Sequence, residues 1–157
     1  MNPPLIAPYW HDFDPSCGGR IYYRQTAEHH LLQSFHTLLL DKSVSDANNF
    51  NASNLIIITW NAVPPFVGFG SNNCLYNATN TFQAILATDG ANMSYVAFVY
   101  GDIQWGAGAQ IGFNAGGGNI YFSLPDALSS STLNITQLSN VGSPGLFIYQ
   151  VDGNSRV

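Results

Sequence analysis

The chain has 157 residues, enough for one domain with a hydrophobic core of its own. It is 46% hydrophobic and 13% aromatic, which excludes intrinsic disorder by composition. Only 8% of residues are charged, the formal net charge is −5, and four Lys and Arg cannot make a basic patch, so nucleic acid and anionic membrane are excluded as partners.

Residues 5–10 form a short apolar strand, and Pro8, which has no N–H for a ladder, puts it at a sheet edge. Turn-forming residues fill 11–19, and 20–25 alternate as a strand. Thr26 is a good N-cap for a helix over residues 27–40. Leu31, Phe35, Leu38 and Leu39 recur at i, i+4, i+7 and i+8, flanked by Leu32, so this helix covers one face of a sheet. Residues 41–54 are polar and read as a loop. The apolar run 55–60 reads as a central strand ended by Pro64-Pro65. A further loop spans 66–80.

The centre of the chain is a hairpin. Residues 81–88 alternate, Asp89-Gly90 is a turn dipeptide, and 94–100 is a second strand of aromatic and β-branched residues that Gly101-Asp102 breaks. Two glycine clusters bracket a strand at 110–114. Another strand at 119–124 is stopped by Pro125, residues 126–136 form a Ser-rich connection, and 145–151 form the last strand before Asp152-Gly153. The expected fold is mainly β (α+β): seven or eight strands in two packed antiparallel sheets, an antiparallel β-sandwich-like domain over residues 1–157 with one covering helix near 27–40.

The two cysteines, Cys17 and Cys74, have no Cys or His neighbours at metal-ligand spacing. A Cys17–Cys74 disulfide is favoured over two buried thiols, and it would close a long loop. Four sequons, at Asn51, Asn77, Asn92 and Asn134, point to N-glycosylation in a secretory setting. Residues 1–4 have no basic or apolar signal segment, so a secretion signal would lie upstream in a longer chain. No run reaches the 18 apolar residues of a transmembrane helix.

Few residues suggest chemistry. Asp12 and Asp14, two apart beside His11, could begin a calcium or glycosidase site, but no ligand spacing follows and turn formation is favoured. A hydrolase centred on them is the least favoured reading. His29, His30 and His36 lie on the helix without an HExxH motif and read as a solvated face. There is no G-x-S-x-G elbow, and the glycine clusters lack the Lys and following helix of a phosphate loop. No metal and no cofactor are expected. Trp10, Trp60 and Trp105 could line a sugar platform, though core packing is favoured for them. Tyr100, Asp102 and Trp105 are the candidate ligand or partner surface, and a carbohydrate-binding sandwich using them is the alternative function.

Several segments resemble the NIDO (nidogen-like) family. They are residues 6–14 (IAPYWHDFD), 19–24 (GRIYYR), 59–63 (TWNAV) and 80–90 (NTFQAILATDG). They continue at 100–105 (YGDIQW), 109–114 (AQIGFN) and 139–145 (SNVGSPG). The resemblance runs in order over most of the chain, and N-T-F-Q-A and A-Q-x-G-F-N are its specific pieces. Asn61 departs from it, standing where an acidic residue is common, and the loops holding Asn51 and Cys74 are particular to this chain. The resemblance implies an extracellular, non-enzymatic module with no catalytic residues, acting in matrix assembly or cell adhesion. Its expected partners are other matrix or cell-surface modules, or copies of itself. It would present a glycosylated, charge-poor surface and a sheet edge left uncovered where preceding strands are absent.

Overall fold

A computed structural model describes residues 3–68, 74, 77–116, 121–124 and 130–152. It contains strands β1 (Leu5–Trp10), β2 (Arg20–Thr26), β3 (Asn54–Val63), β4 (Asn80–Thr88), β5 (Ser94–Ile103), β6 (Gln110–Asn114), β7 (Tyr121–Ser123) and β8 (Leu146–Gln150). One α-helix, α1 (His29–Asp41), lies between β2 and β3, and short 3-10 turns occupy Pro15–Cys17, Ala47–Asn49 and Ser130–Gln137. All strand pairs are antiparallel. They form a five-stranded sheet, β2-β3-β4-β5-β8, and a three-stranded sheet, β1-β6-β7.

The middle of the five-stranded sheet is covered on both faces, which explains the continuous apolar runs 55–58, 84–87 and 95–99 in its central strands. In β5, Tyr95 and Ala97 face the helix, while Val96, Phe98 and Tyr100 face the small sheet. Residues 95 to 98 are all fully buried. On the helix side Phe35 and Leu39 of α1 join Phe50, Leu55, Ala87 and Ile148 in one cluster. The small side chains of Ala87 and Ala97 leave room there for the rings of Phe35, Phe50 and Tyr95. On the other side Tyr9, Phe82, Trp105, Ile111 and Phe147 fill the space between the sheets.

The two-sheet architecture and the covering helix match the expectation, and three details correct it. The helix begins at His29 with Glu28 as its N-cap, because Thr26 still pairs with Leu55 in the β2–β3 ladder. The Thr26 hydroxyl instead accepts from the Glu28 N–H at 3.1 Å, turning the chain out of the strand. Gly101-Asp102 does not break β5. Thr81 faces Asp102 and Phe82 faces Tyr100, so Gly101 is the extra residue of a β-bulge and the strand runs on to Ile103. The loop at 41–54 holds a 3-10 turn and the buried Phe50, and Asn54 already belongs to β3. The expected strand at 119–124 is seen as β7, with Asn119 and Ile120 outside the described residues.

The hairpin turn follows from Asp89. Its Oδ1 accepts from the N–H groups of Ala91, Asn92 and Met93 at 2.8, 3.1 and 3.0 Å. These bonds hold its carboxyl below the usual carboxylate range, led by the bond from Ala91. At the far end of β5, Tyr100 N–H donates to the Gly145 carbonyl at 2.8 Å. Gly145 has φ +76°, and a Cβ there would lie 2.6 Å from the Tyr100 carbonyl, so only glycine fits.

Candidate interaction surface

The residues singled out as a ligand surface divide sharply. Tyr100 and Trp105 are 5% and 8% exposed and belong to the core between the sheets. The Tyr100 hydroxyl donates to the Pro8 carbonyl at 2.6 Å, and burial holds its pKa well above the usual value. The Trp105 indole donates to the Val63 carbonyl at 2.8 Å. Asp102 alone of the three is exposed. A sugar platform built on Tyr100 and Trp105 therefore does not exist in this fold.

The residue that organises this region stands in a family segment of the sequence that assigned it no role. Asn80 is fully buried. Its Nδ2 donates to the Trp105 carbonyl at 3.1 Å, and its Oδ1 accepts from the N–H groups of Gln104 and Trp105 at 2.8 and 3.2 Å. Tyr9 donates to the same Trp105 carbonyl at 2.7 Å, with its pKa raised to about 12 chiefly by burial. Asn80 thus fastens the chain after β5 to the start of β4, and Tyr9 ties β1 to the same point. Buried donors left unpaired would cost about 1–3 kcal/mol each. A sequon-free asparagine at the head of a strand gives no sequence signal of this role.

The other candidates resolve individually. Asp14 caps the 3-10 turn Pro15–Cys17, its Oδ1 accepting from the N–H and hydroxyl of Ser16 at 2.9 and 2.6 Å. Asp12 is exposed, and its carbonyl accepts from the Phe66 N–H. His29 and His30 are exposed, whereas His36 is half-buried with Nδ1 unpartnered. No group of His, Cys, Asp or Glu able to hold a metal occurs among the described residues. Cys17 and Cys74 are joined in a disulfide with Cα atoms 4.8 Å apart. The four sequon residues Asn51, Asn77, Asn92 and Asn134 are all exposed.

Among the described residues, what the five-stranded sheet does offer is one open edge. At the β8 edge, the Asn140 side chain makes both bonds to the Ile148 backbone, donating to its carbonyl at 2.8 Å and accepting from its N–H at 3.0 Å. Ser139 Oγ donates to the Leu146 carbonyl at 2.7 Å. Side chains thus occupy that edge as a further strand would. At the opposite end, β2 pairs with β3 and, among the described residues, with nothing on its outer side. All of β2 except Thr26 is exposed. Ile21, Tyr22 and Tyr23 are 44%, 53% and 82% exposed.

Arg20, Tyr22 and Arg24 lie exposed on the helix side of the sheet, since they pair with Asn61, Thr59 and Ile57, and Ile57 packs in the helix-side cluster. Two hollows flank Tyr22 there. One, of about 580 Å³, is lined by Arg20, Gly18, Gly19 and Asn61 among others. The other, of about 340 Å³, is lined by Arg24, Ile57, Thr59 and Gln83. Arg24 meets Glu28 at 3.8 Å with both side chains about half exposed, a pair of little energetic weight. Two of the chain's four Lys and Arg therefore sit on this one strand of an otherwise acidic molecule.

Comparison with known sequences identifies the family of the chain. The sequence model of the nidogen-like domain matches residues 1–153. The chain belongs to the nidogen-like domain family. Alpha-tectorin of Mus musculus is 34% identical to it over 164 residues, covering 95% of this chain and 7% of alpha-tectorin. Dendrite extension defective protein 1 of Caenorhabditis elegans is 31% identical over 152 residues, covering 94% of this chain and 12% of that protein. Nidogen-2 of Mus musculus is 27% identical over 170 residues, covering 94% and 12%. This nidogen-like domain thus spans about a tenth of the length of these relatives. No solved structure matches it. The family segments recognised in the sequence supply Asn80, the bulge at Gly101, Trp105 and β2 itself.

Proposed function

We propose that this nidogen-like domain is a non-enzymatic interaction module of an extracellular matrix or adhesion protein, and that it engages its partner through the β2 edge. The observation that carries the reading is the contrast between the two ends of the five-stranded sheet: β8 is closed by Asn140 and Ser139, while β2, among the described residues, is left open, with Ile21 and Tyr23 exposed on one face and Tyr22 between two arginines on the other. An added strand from a partner would find unpaired backbone groups for affinity, and the two hollows beside Tyr22 for its side chains. The Cys17–Cys74 disulfide and the four exposed sequons support an oxidising, secretory location.

Charge favours a different protein over a second copy. In an antiparallel self-pairing centred on Tyr22, Arg20 of one copy would face Arg24 of the other, and like charges directly opposite are destabilising. A partner strand with carboxylates opposite Arg20 and Arg24 would complement both. The combined change Arg20→Glu with Arg24→Glu is expected to leave the melting temperature nearly unchanged, since both side chains are exposed. Retention of the purified domain on cell-deposited matrix is expected to fall at least tenfold. Retention equal to that of the unaltered domain would sink the β2 assignment.

A further inference from the structure

The outer face of the three-stranded sheet carries a second, separate feature. Pairing puts Ala7, Gly112 and Ser123 in one row, Leu5, Asn114 and Tyr121 in the next, and Trp10 opposite Gln110 at the end. These residues share the face away from the core, because cross-strand partners point to the same side. A groove of about 300 Å³ runs over this face as far as Asn114 and Ser123, lined by Leu5, Trp10, Gln110, Gly112, Asn114 and Ser123 among others. Gly112 lies in this groove, and a Cβ there would come within 2.0 Å of the Phe122 carbonyl oxygen on β7, so only glycine fits.

The chemistry of the lining is specific. None of the residues lining the groove is ionisable. Trp10 is 59% exposed at one end of the groove, and Tyr121, beyond the groove but on the same face through its pairing with Asn114, is 74% exposed. Between them stand two amides and a hydroxyl, each able to donate and accept. The Asn114 Oδ1 accepts from the Gly116 N–H at 2.9 Å, which fixes that amide with Nδ2 as its remaining donor. Four residues along β6 and two strand spacings across put Trp10 and Tyr121 roughly 16 Å apart, too far for a single sugar ring to touch both. An exposed aromatic face suits the apolar C–H face of a pyranose, and uncharged amides and hydroxyls suit its hydroxyl groups.

We propose that this groove binds a neutral, extended oligosaccharide, with Trp10 as the stacking platform and Gln110, Asn114 and Ser123 as the hydroxyl partners. The site shares no residue with the β2 edge, and it replaces the buried Trp105 and Tyr100 with residues that a ligand can reach. The test is calorimetric titration of the secreted, glycosylated domain with cellohexaose and chitohexaose, and with a sulfated heparin hexasaccharide for comparison. Saturable binding of at least one neutral hexasaccharide is expected. It should weaken at least tenfold in Trp10→Ala and in Gln110→Ala and stay within about threefold in Trp10→Phe, with melting temperatures recorded alongside so that a folding defect in one variant leaves the other two to decide. Absence of saturable binding to both neutral hexasaccharides overturns the proposal. So does binding that Trp10→Ala and Gln110→Ala leave intact, or a preference for the sulfated sugar.

Discussion

Trp105→Ala is expected to lower the unfolding free energy by about 3–5 kcal/mol, a large share of the 5–15 kcal/mol typical of a whole domain. The side chain is almost fully buried, packs edge-on to Tyr9 with ring centres 6.2 Å apart, and meets the ring of His11 at 5.3 Å. Removing it leaves a cavity between the two sheets at the point where they are bound together. It also strips the Val63 carbonyl of its indole donor. Urea unfolding followed by circular dichroism measures the loss. Trp105→Phe should recover most of the packing but not the hydrogen bond, and so fall between the two. A loss below 1 kcal/mol in Trp105→Ala would show that the indole does not hold the sheets together.

Joint replacement of Cys17 and Cys74 by serine is expected to cost on the order of 4 kcal/mol. The bridge spans 57 residues, and on the chain-entropy model closing so long a loop restricts the unfolded chain strongly. The enclosed segment contains β2, α1 and β3, two strands of the five-stranded sheet and its covering helix. For a domain of this size the melting temperature would fall by roughly 10 °C. There is a local consequence too. Pro15, Ser16, Gly18 and Gly19 line the hollow beside Arg20, so the bridge anchors the segment that leads into β2. Scanning calorimetry of the double variant, beside the unaltered domain with and without reductant, reads both effects. A drop under 2 °C would contradict the stabilising role.

The parts of the fold that were legible in the sequence are those fixed by local pattern. The alternation in 81–88 and the Asp89-Gly90 turn gave the central hairpin, and the Leu31–Leu39 stripe gave the helix and its buried face. The errors occur where a tertiary ladder overrides a local signal. Thr26 has the chemistry of an N-cap, but its pairing with Leu55 keeps it in the strand. Gly101-Asp102 has the chemistry of a stop, but one unpaired residue lets β5 continue across β4.

The candidate surface was far less legible, because exposure depends on strand order and strand order is not written in any one strand. R-I-Y-Y-R reads the same in an interior strand and at an edge. The three tryptophans illustrate the same limit. Trp105 follows a Gly-Asp pair and a polar Gln104, yet the chain beyond β5 turns inward and Asn80 fastens it there. Trp60 lies partly buried on β3, stacked on Phe82 at 4.8 Å. Trp10 sits beyond a bulge in an edge strand, with its side chain on the outer face.

The central claim is that β2 receives a partner strand. It is tested most directly by amide hydrogen exchange on the domain, free and bound to cell-deposited matrix components that retain it. The account predicts slowed exchange concentrated in residues 20–25, at the amides not already bonded to β3, with α1 and the β8 edge unchanged. Protection on binding that leaves β2 unaltered and appears on α1 or along β8 would contradict it.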